Sequence, residues 1–202
     1  VTDDRVPHSI ATFNESYVGA PPPWDIGRPQ PAFARLAQAG GLVGRVLDVG
    51  CGTGEHALLA ASLGHEVLGV DIASRAVGLA EEKATARHMQ VTFLVFDALR
   101  LPELGGQFDT VLDCGLFHVF DDQDREQFVD GLAKVVPPGG RYHMLCFSDR
   151  QPGSWGPRRI SEAEIRASFL QGWTIESVDP TVIDITIDPA GAQAWQVLVS
   201  RT

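Results

Sequence analysis

The 202-residue chain carries 16 basic and 26 acidic residues, a formal net charge of −10, with 44% hydrophobic and 21% charged residues. That composition belongs to a globular protein with enough chain to bury a core, and the length fits one domain. The acidic excess repels a phosphate backbone and argues against nucleic acid as a partner, while no apolar run approaches bilayer length, which argues against a membrane.

Residues 8–20 place Ile10, Phe13 and Tyr17 at spacings of three and four, a helical stripe suited to covering an apolar cleft. Residues 21–29 (PPPWDIGRP) are stiffened by proline and form neither a regular helix nor a central strand. Residues 30–39 read as a helix stopped by Gly40 and Gly41. The run VLDV then closes on Gly50, Gly52 and Gly54, and residues 55–63 turn Ala/Leu-rich, so the pattern switches from strand to helix across one tight loop. A second strand over 65–70 ends in Asp71, a helix over 74–88 takes Ser74 as its N-cap, and a third strand over 91–96 ends in Asp97-Ala98. Strands over 108–114 and 141–147 flank a helix over 124–136 that ends in Pro137-Pro138-Gly139-Gly140. After a Gly/Pro loop over 151–159, Ser161 and Glu164 have the spacing of a capping box for a helix reaching Leu170. Strands over 173–178, 181–187 and 194–200 follow. Strand and helix alternate with short breaks, which calls for an α/β fold with a parallel sheet and helices on both faces.

Glycine brings no Cβ and tolerates positive φ, so the loop over 50–54 lets backbone N–H groups approach a polar or anionic ligand at a positive helix N-terminus. A dinucleotide fingerprint would have its third Gly at the position of Glu55, whose carboxylate would face a pyrophosphate, which disfavours NAD and FAD. With Asp48 two residues before the first Gly, Asp71 after the second strand and Asp97-Ala98 after the third, residues 42–150 resemble the class I S-adenosylmethionine-dependent methyltransferases. Within that group the PPWDIGRPQP stretch is similar to the N-terminal segment of thiol, halide and thiopurine methyltransferases and of bacterial methyltransferases of heterocyclic or quinolone-type compounds.

The resemblance implies a Rossmann-like seven-stranded, mostly parallel sheet whose last strand is antiparallel. It implies S-adenosyl-L-methionine as cofactor, S-adenosyl-L-homocysteine as product, and a cofactor site built from Trp24, Asp48, Gly50, Cys51, Gly52, Thr53, Gly54, Asp71, Ile72, Asp97, Ala98, Asp113 and Cys114. Asp25 and Arg28 join Trp24 in the segment that folds over the cofactor; the alternative is a proline strap with Trp24 packed into the core. Asp71, at this distance beyond the glycine loop, is suited to accept both ribose hydroxyls, and Asp48 either orders the loop or reaches the cofactor's amino group.

Ligands of an open parallel sheet bind beyond the carboxyl ends of its strands, which also sorts the remaining candidates. His118 follows the fourth strand and is the first candidate general base, with local packing as its alternative; His56 is second. His65, His88 and His143 lie toward the other edge. Phe13, Tyr17, Phe117 and Trp155 suit a flat acceptor, or belong to the core. No His or Cys pair has metal-ligand spacing, so no metal is expected, and Cys51, Cys114 and Cys146 read as free thiols in a reducing compartment. The first five residues lack the regions of a secretory signal, so a cytoplasmic location is expected.

The expectation is one methyltransferase domain over 1–202, with 1–40 as cover and first helix and 42–202 as cofactor-binding core with acceptor-site loops. Its methyl acceptor is a small molecule, aromatic or heterocyclic, reacting at O, N or S, with a thiol or halide as the alternative. The protein is expected to be a monomer or homodimer. An NAD(P)-dependent oxidoreductase and a non-catalytic cofactor-binding protein are the readings from other classes.

Overall fold

The structure, a computed structural model, describes residues 10–202. The expected helix start at residue 8, and residues 1–5, lie outside the described residues. In chain order the elements are α1 (Ile10–Ser16), α2 (Pro31–Gln38), β1 (Val46–Val49), α3 (Glu55–Ser62), β2 (Val67–Asp71), α4 (Ser74–Ala86), β3 (Thr92–Val95), β4 (Thr110–Cys114), α5 (Asp122–Val135), β5 (Arg141–Phe147), α6 (Glu162–Ser168), β6 (Trp173–Ile185) and β7 (Asp188–Arg201). Short 3-10 turns cover Ala98–Leu104 and Phe117–Val119.

Seven strands form one sheet in the order β3-β2-β1-β4-β5-β7-β6. Strands β1 to β5 pair in parallel, and β7 runs antiparallel to both neighbours, β5 and β6. Every residue of β1 is buried, and only the last residue of β2 and of β4 is not, because helices cover both faces. Strand alternation divides the core. Leu47, Val49 and Val111 pack with Phe128 and Leu132 of α5 and Ile165 of α6, whereas Val46 and Leu112 pack with Phe33 of α2, Leu58 of α3 and Val77 of α4.

Strand order reverses between β1 and β4, so their carboxyl ends open a crevice at a topological switch point. The glycine loop after β1 and the 3-10 turn after β4 form its two sides.

Local chemistry accounts for most boundaries. Pro31 occupies the first turn of α2, where its missing N–H costs nothing. Ser161 and Glu164 form both bonds of the capping box of α6, and the Asp121 carboxylate accepts the Asp124 N–H at 2.9 Å to open α5. Ser74 does not cap α4: Ala73 holds that position, and Asn14 of α1 accepts from Ser74 Oγ at 3.2 Å and from the Arg75 N–H at 3.1 Å. The two strands expected over 173–178 and 181–187 are one strand, β6, running through Pro180. An edge strand loses no ladder bond to a proline whose nitrogen side faces outward.

Candidate active site

The glycine loop is fixed from behind by carboxylates. Asp48 of β1 points to the α3 face and its Oδ2 accepts the Ala57 N–H at 2.9 Å, satisfying one of the orphan donors of the first turn of α3. Its Oδ1 is buried and has no hydrogen-bond partner among the described residues, and burial pushes the carboxyl up to about 7 against the pull of the Ala57 N–H. Asp71, ending β2, accepts the Gly52 N–H through Oδ2 at 2.8 Å and the Ala73 N–H through Oδ1 at 2.8 Å, and burial raises its pKa. Gly52 has φ 53° and Gly54 φ 83°, left-handed values that L side chains seldom adopt, and a Cβ on Gly54 would press on Phe93 and Ala80. Asp97 accepts the Leu99 N–H at 2.9 Å, with Ala98 buried beside it. Ile72, half-buried, lies between Asp71 and Ala73; buried Cys51 donates its backbone N–H to Val70 O at 2.9 Å.

The N-terminal segment reaches this loop at several points. The Tyr17 hydroxyl lies 3.1 Å from where a Cβ on Gly52 would stand, and accepts from Trp24 Nε1 at 3.1 Å, with the two rings edge to face. Burial and the nearby Asp71 raise the Tyr17 pKa, so it remains a neutral phenol. Tyr17, expected at the acceptor, is therefore beside the cofactor loop, and Phe13 is half-buried on the same short helix. Asp25 accepts from Thr53 Oγ1 at 2.9 Å. Arg28 turns away to Asp184 of β6 at 2.7 Å, so the place over the cofactor expected for it does not hold. Gln30 exchanges two bonds of 2.9 Å with the Asp184 backbone, and the Thr186 N–H donates to Pro23 O at 2.9 Å. The proline strap is thus pinned between the glycine loop and the β6–β7 hairpin.

The other side of the crevice corrects three expectations. Asp113 alternates onto the α5 face, away from the cofactor side. Its fully buried carboxylate accepts from the Leu116 N–H at 2.8 Å, the Phe117 N–H and the Tyr142 hydroxyl at 2.6 Å. Burial pushes it up to about 7 despite those donors, and it staples the turn after β4. Phe117 is fully buried, stacked on Phe169 at 6.0 Å beneath the Arg125 guanidinium, and is core rather than acceptor wall.

His118 is buried, and its Nδ1 accepts the Phe147 N–H at 2.9 Å. A neutral ring held this way carries its proton on Nε2 and presents a donor there, so the role of general base does not fit. His56 behaves likewise: Nε2 accepts the Gln30 N–H at 3.1 Å, the ring lies edge-on to Phe33, and burial lowers its pKa to about 4. Cys114 is half-buried against the α2–α4 core. Trp155 is 41% exposed, edge-on to Phe147 at 5.8 Å with Arg159 over its ring, and Phe147 in turn lies edge-on to His118 at 5.2 Å.

Sequence reasoning passed over a charged cluster under the loop. Glu55 binds Lys83 at 2.9 Å and both terminal guanidinium nitrogens of Arg87 at 2.8 and 2.9 Å; although burial opposes it, these cations hold its carboxyl below the ordinary value. Helix α4 sets Lys83 and Arg87 one turn apart, the only signal available in the sequence. Among the described residues no helix is long and apolar enough to cross a membrane.

This arrangement provides backbone donors, an unpartnered buried carboxylate oxygen and a half-open carboxylate around one loop, a setting for a ligand with an amino group and hydroxyls. The family model for a methyltransferase domain matches residues 46–140. A 2-heptyl-1-hydroxyquinolin-4(1H)-one methyltransferase of Mycobacteroides abscessus is 36% identical over 178 residues, covering 83% of this chain and 78% of its own. A structure solved for the conversion of a disulfide bond into a thioacetal group during echinomycin biosynthesis is 37% identical with a TM-score of 0.84, covering 95% of this chain and 90% of that one. Magnesium protoporphyrin IX methyltransferase from Synechocystis PCC 6803, with S-adenosylmethionine bound, is 26% identical with a TM-score of 0.67 over 85% of this chain and 76% of that one. With the switch-point crevice, the glycine loop and these relatives in agreement, the chain belongs to the class I S-adenosylmethionine-dependent methyltransferases.

Proposed function

We propose that the protein methylates a small, flat aromatic or heterocyclic molecule at an oxygen or nitrogen that loses its own proton near neutral pH. When bound, S-adenosylmethionine supplies a methyl carbon activated by its sulfonium. The chain's part is to hold and align. Asp71, with both oxygens already anchored to the loop and to α4, is pre-set to accept the two ribose hydroxyls through its remaining lone pairs. The orphaned Oδ1 of Asp48 and the N–H groups of the glycine loop receive the charged amino-acid end. Asp97 and Ala98 border the base, and Tyr17 with Trp24 closes over the loop and excludes water. Trp155 and Phe13 offer the aromatic surface for the acceptor.

The observation that carries the choice of acceptor is the bond from the Phe147 N–H to His118 Nδ1. His118 then faces its surroundings as a donor, and Asp113 is committed to Tyr142 and the backbone, so neither is placed to remove a proton. An acceptor that ionises unaided needs no base, and a hydroxyl on a heteroaromatic nitrogen is one such group, in keeping with the 36% identical hydroxyquinolone methyltransferase. A sulfur acceptor is the second reading, favoured by the 37% identical structure from disulfide-to-thioacetal chemistry.

Release of S-adenosylhomocysteine should be measured with a panel of N-hydroxyquinolones, phenols, heterocyclic amines and thiols as a function of pH. The alkaline-rising limb of kcat/KM is expected to move with each acceptor's own pKa and to persist in His118→Gln. A limb fixed near the imidazole range for every acceptor, and abolished in that variant, would overturn the base-free reading. Turnover confined to thiols would select the sulfur alternative.

A further inference from the structure

We propose that Lys83 is a positioning residue that couples the proline strap to the cofactor loop by fixing the direction of a hydrogen-bond chain through Thr53. Lys83 lies on α4, behind the glycine loop, and its ammonium donates to Thr53 Oγ1 at 2.6 Å and to Glu55 Oε1 at 2.9 Å, and stands 4.0 Å from Asp25 Oδ1. An ammonium has no lone pair, so the Thr53 hydroxyl must accept from it. The hydroxyl hydrogen is then committed to its other neighbour, Asp25 Oδ2, at 2.9 Å. The chain runs one way, from α4 through the glycine loop to the strap, and each bond polarises the next.

Charge makes Lys83 necessary to that chain. Two carboxylates, Asp25 and Glu55, meet two cations, Lys83 and Arg87; Arg87 is spent on both oxygens of Glu55, so Lys83 is the cation that reaches the strap. The side chains of Asp25 and Lys83 are 13% and 26% exposed, so solvent screens the attraction only partly. Without Lys83 the Thr53 hydroxyl would lose its donor, and Asp25 would lose the only cation within 4.0 Å of it among the described residues. Release of Asp25 frees the strap next to Trp24, whose indole reaches the Tyr17 hydroxyl over Gly52. Glu55, anomalous where a dinucleotide loop has glycine, acquires a reason here: it anchors the cation that serves the strap.

The inference rests on the cofactor-holding role of the glycine loop and is independent of the acceptor. The test measures calorimetric binding of S-adenosylhomocysteine and the rate of proteolysis within residues 21–30 of the ligand-free protein. Lys83→Met should weaken binding about ten- to a hundredfold, the loss of a charge-assisted bond, and speed cleavage of the strap, while Lys83→Arg recovers part of both. With Asp25→Asn already present, Lys83→Met should cost much less than it does alone. Equal costs in both backgrounds, or full recovery of binding when Glu55→Gln is added to Lys83→Met, would overturn the coupling and reduce Lys83 to a counter-ion of Glu55. Unaltered binding and cleavage in both Lys83→Met and Lys83→Arg would overturn it as well. Failure of the unsubstituted protein to bind S-adenosylhomocysteine would instead strike at the cofactor site itself.

Discussion

Strands β2 and β4 both approach their carboxyl ends with an aspartate, Asp71 closing the first and Asp113 standing one residue from the end of the second, and both accept backbone N–H groups from the segment that follows. They differ in what lies beyond. Asp71 remains half-open to the crevice and shares itself between Gly52 and Ala73, whereas Asp113 is closed in with Tyr142 on the α5 face. The same residue type, at nearly the same place on neighbouring parts of one sheet, is left open to the proposed cofactor site in one case and holds a turn together in the other. What separates them is which face the pleat turns toward, and whether a buried donor stands opposite.

The sharpest way to break this comparison is to remove both carboxylates in turn. Asp113→Ala should cost about 3 to 5 kcal/mol of folding stability in urea denaturation, because it leaves the Tyr142 hydroxyl and two backbone N–H groups buried without an acceptor. A loss below about 1 kcal/mol would show that the turn after β4 stands without it. Asp71→Ala should instead weaken S-adenosylmethionine binding by about 1 to 3 kcal/mol in calorimetry, with a smaller change in stability. Unchanged affinity would remove Asp71 from the site.

A pH profile sharpens the contrast. The folded pKa of Asp113 is raised from 3.8 to about 7, so the native state holds its proton more tightly than the unfolded chain. Its contribution is fully present below about pH 4 and is lost as pH rises toward 7. Asp113→Asn should therefore flatten the fall in stability between pH 4 and 7 relative to the unsubstituted protein, read as Tm at each pH. A constant Tm difference across that window would contradict the buried assignment. The smallest effect concerns Trp24, which is 47% exposed: Trp24→Phe loses the bond to Tyr17 and should weaken cofactor binding by about 0.5 to 1.5 kcal/mol, leaving stability unaltered. Equal binding by the two proteins would leave Trp24 without a part in closure.

Legibility followed the range of the interactions involved. The strand, glycine loop and helix of residues 46–62 were readable because periodicity and spacing are local properties, and the parallel sheet with helices on both faces followed from the alternation of strand and helix. Phe117 and His118 stayed open between site and core because their direction depends on a 3-10 turn whose shape is set by Asp113 and the Phe147 N–H, the latter 29 residues from His118. Tyr17 was moved from acceptor to cofactor loop by the docking of α1 through Asn14 onto α4, a contact 61 residues long that no periodicity encodes. The Lys83 cluster joins three segments far apart in the chain and leaves no motif.

Strand β7 lies between β5 and β6, so the edge strand has nothing to pair with until the strand made after it has been laid down. The strap that covers the glycine loop is bonded to that edge: Gln30 and Asp184 are 154 residues apart. During synthesis the glycine loop and its flanking strands emerge long before the anchor of their cover, and contacts at such separation are slow to close. Cofactor competence is therefore expected to come late in the folding of each chain, and in stopped-flow refolding the recovery of S-adenosylhomocysteine binding is expected to trail the formation of secondary structure. Simultaneous recovery of the two would mean that the strap seats without its hairpin.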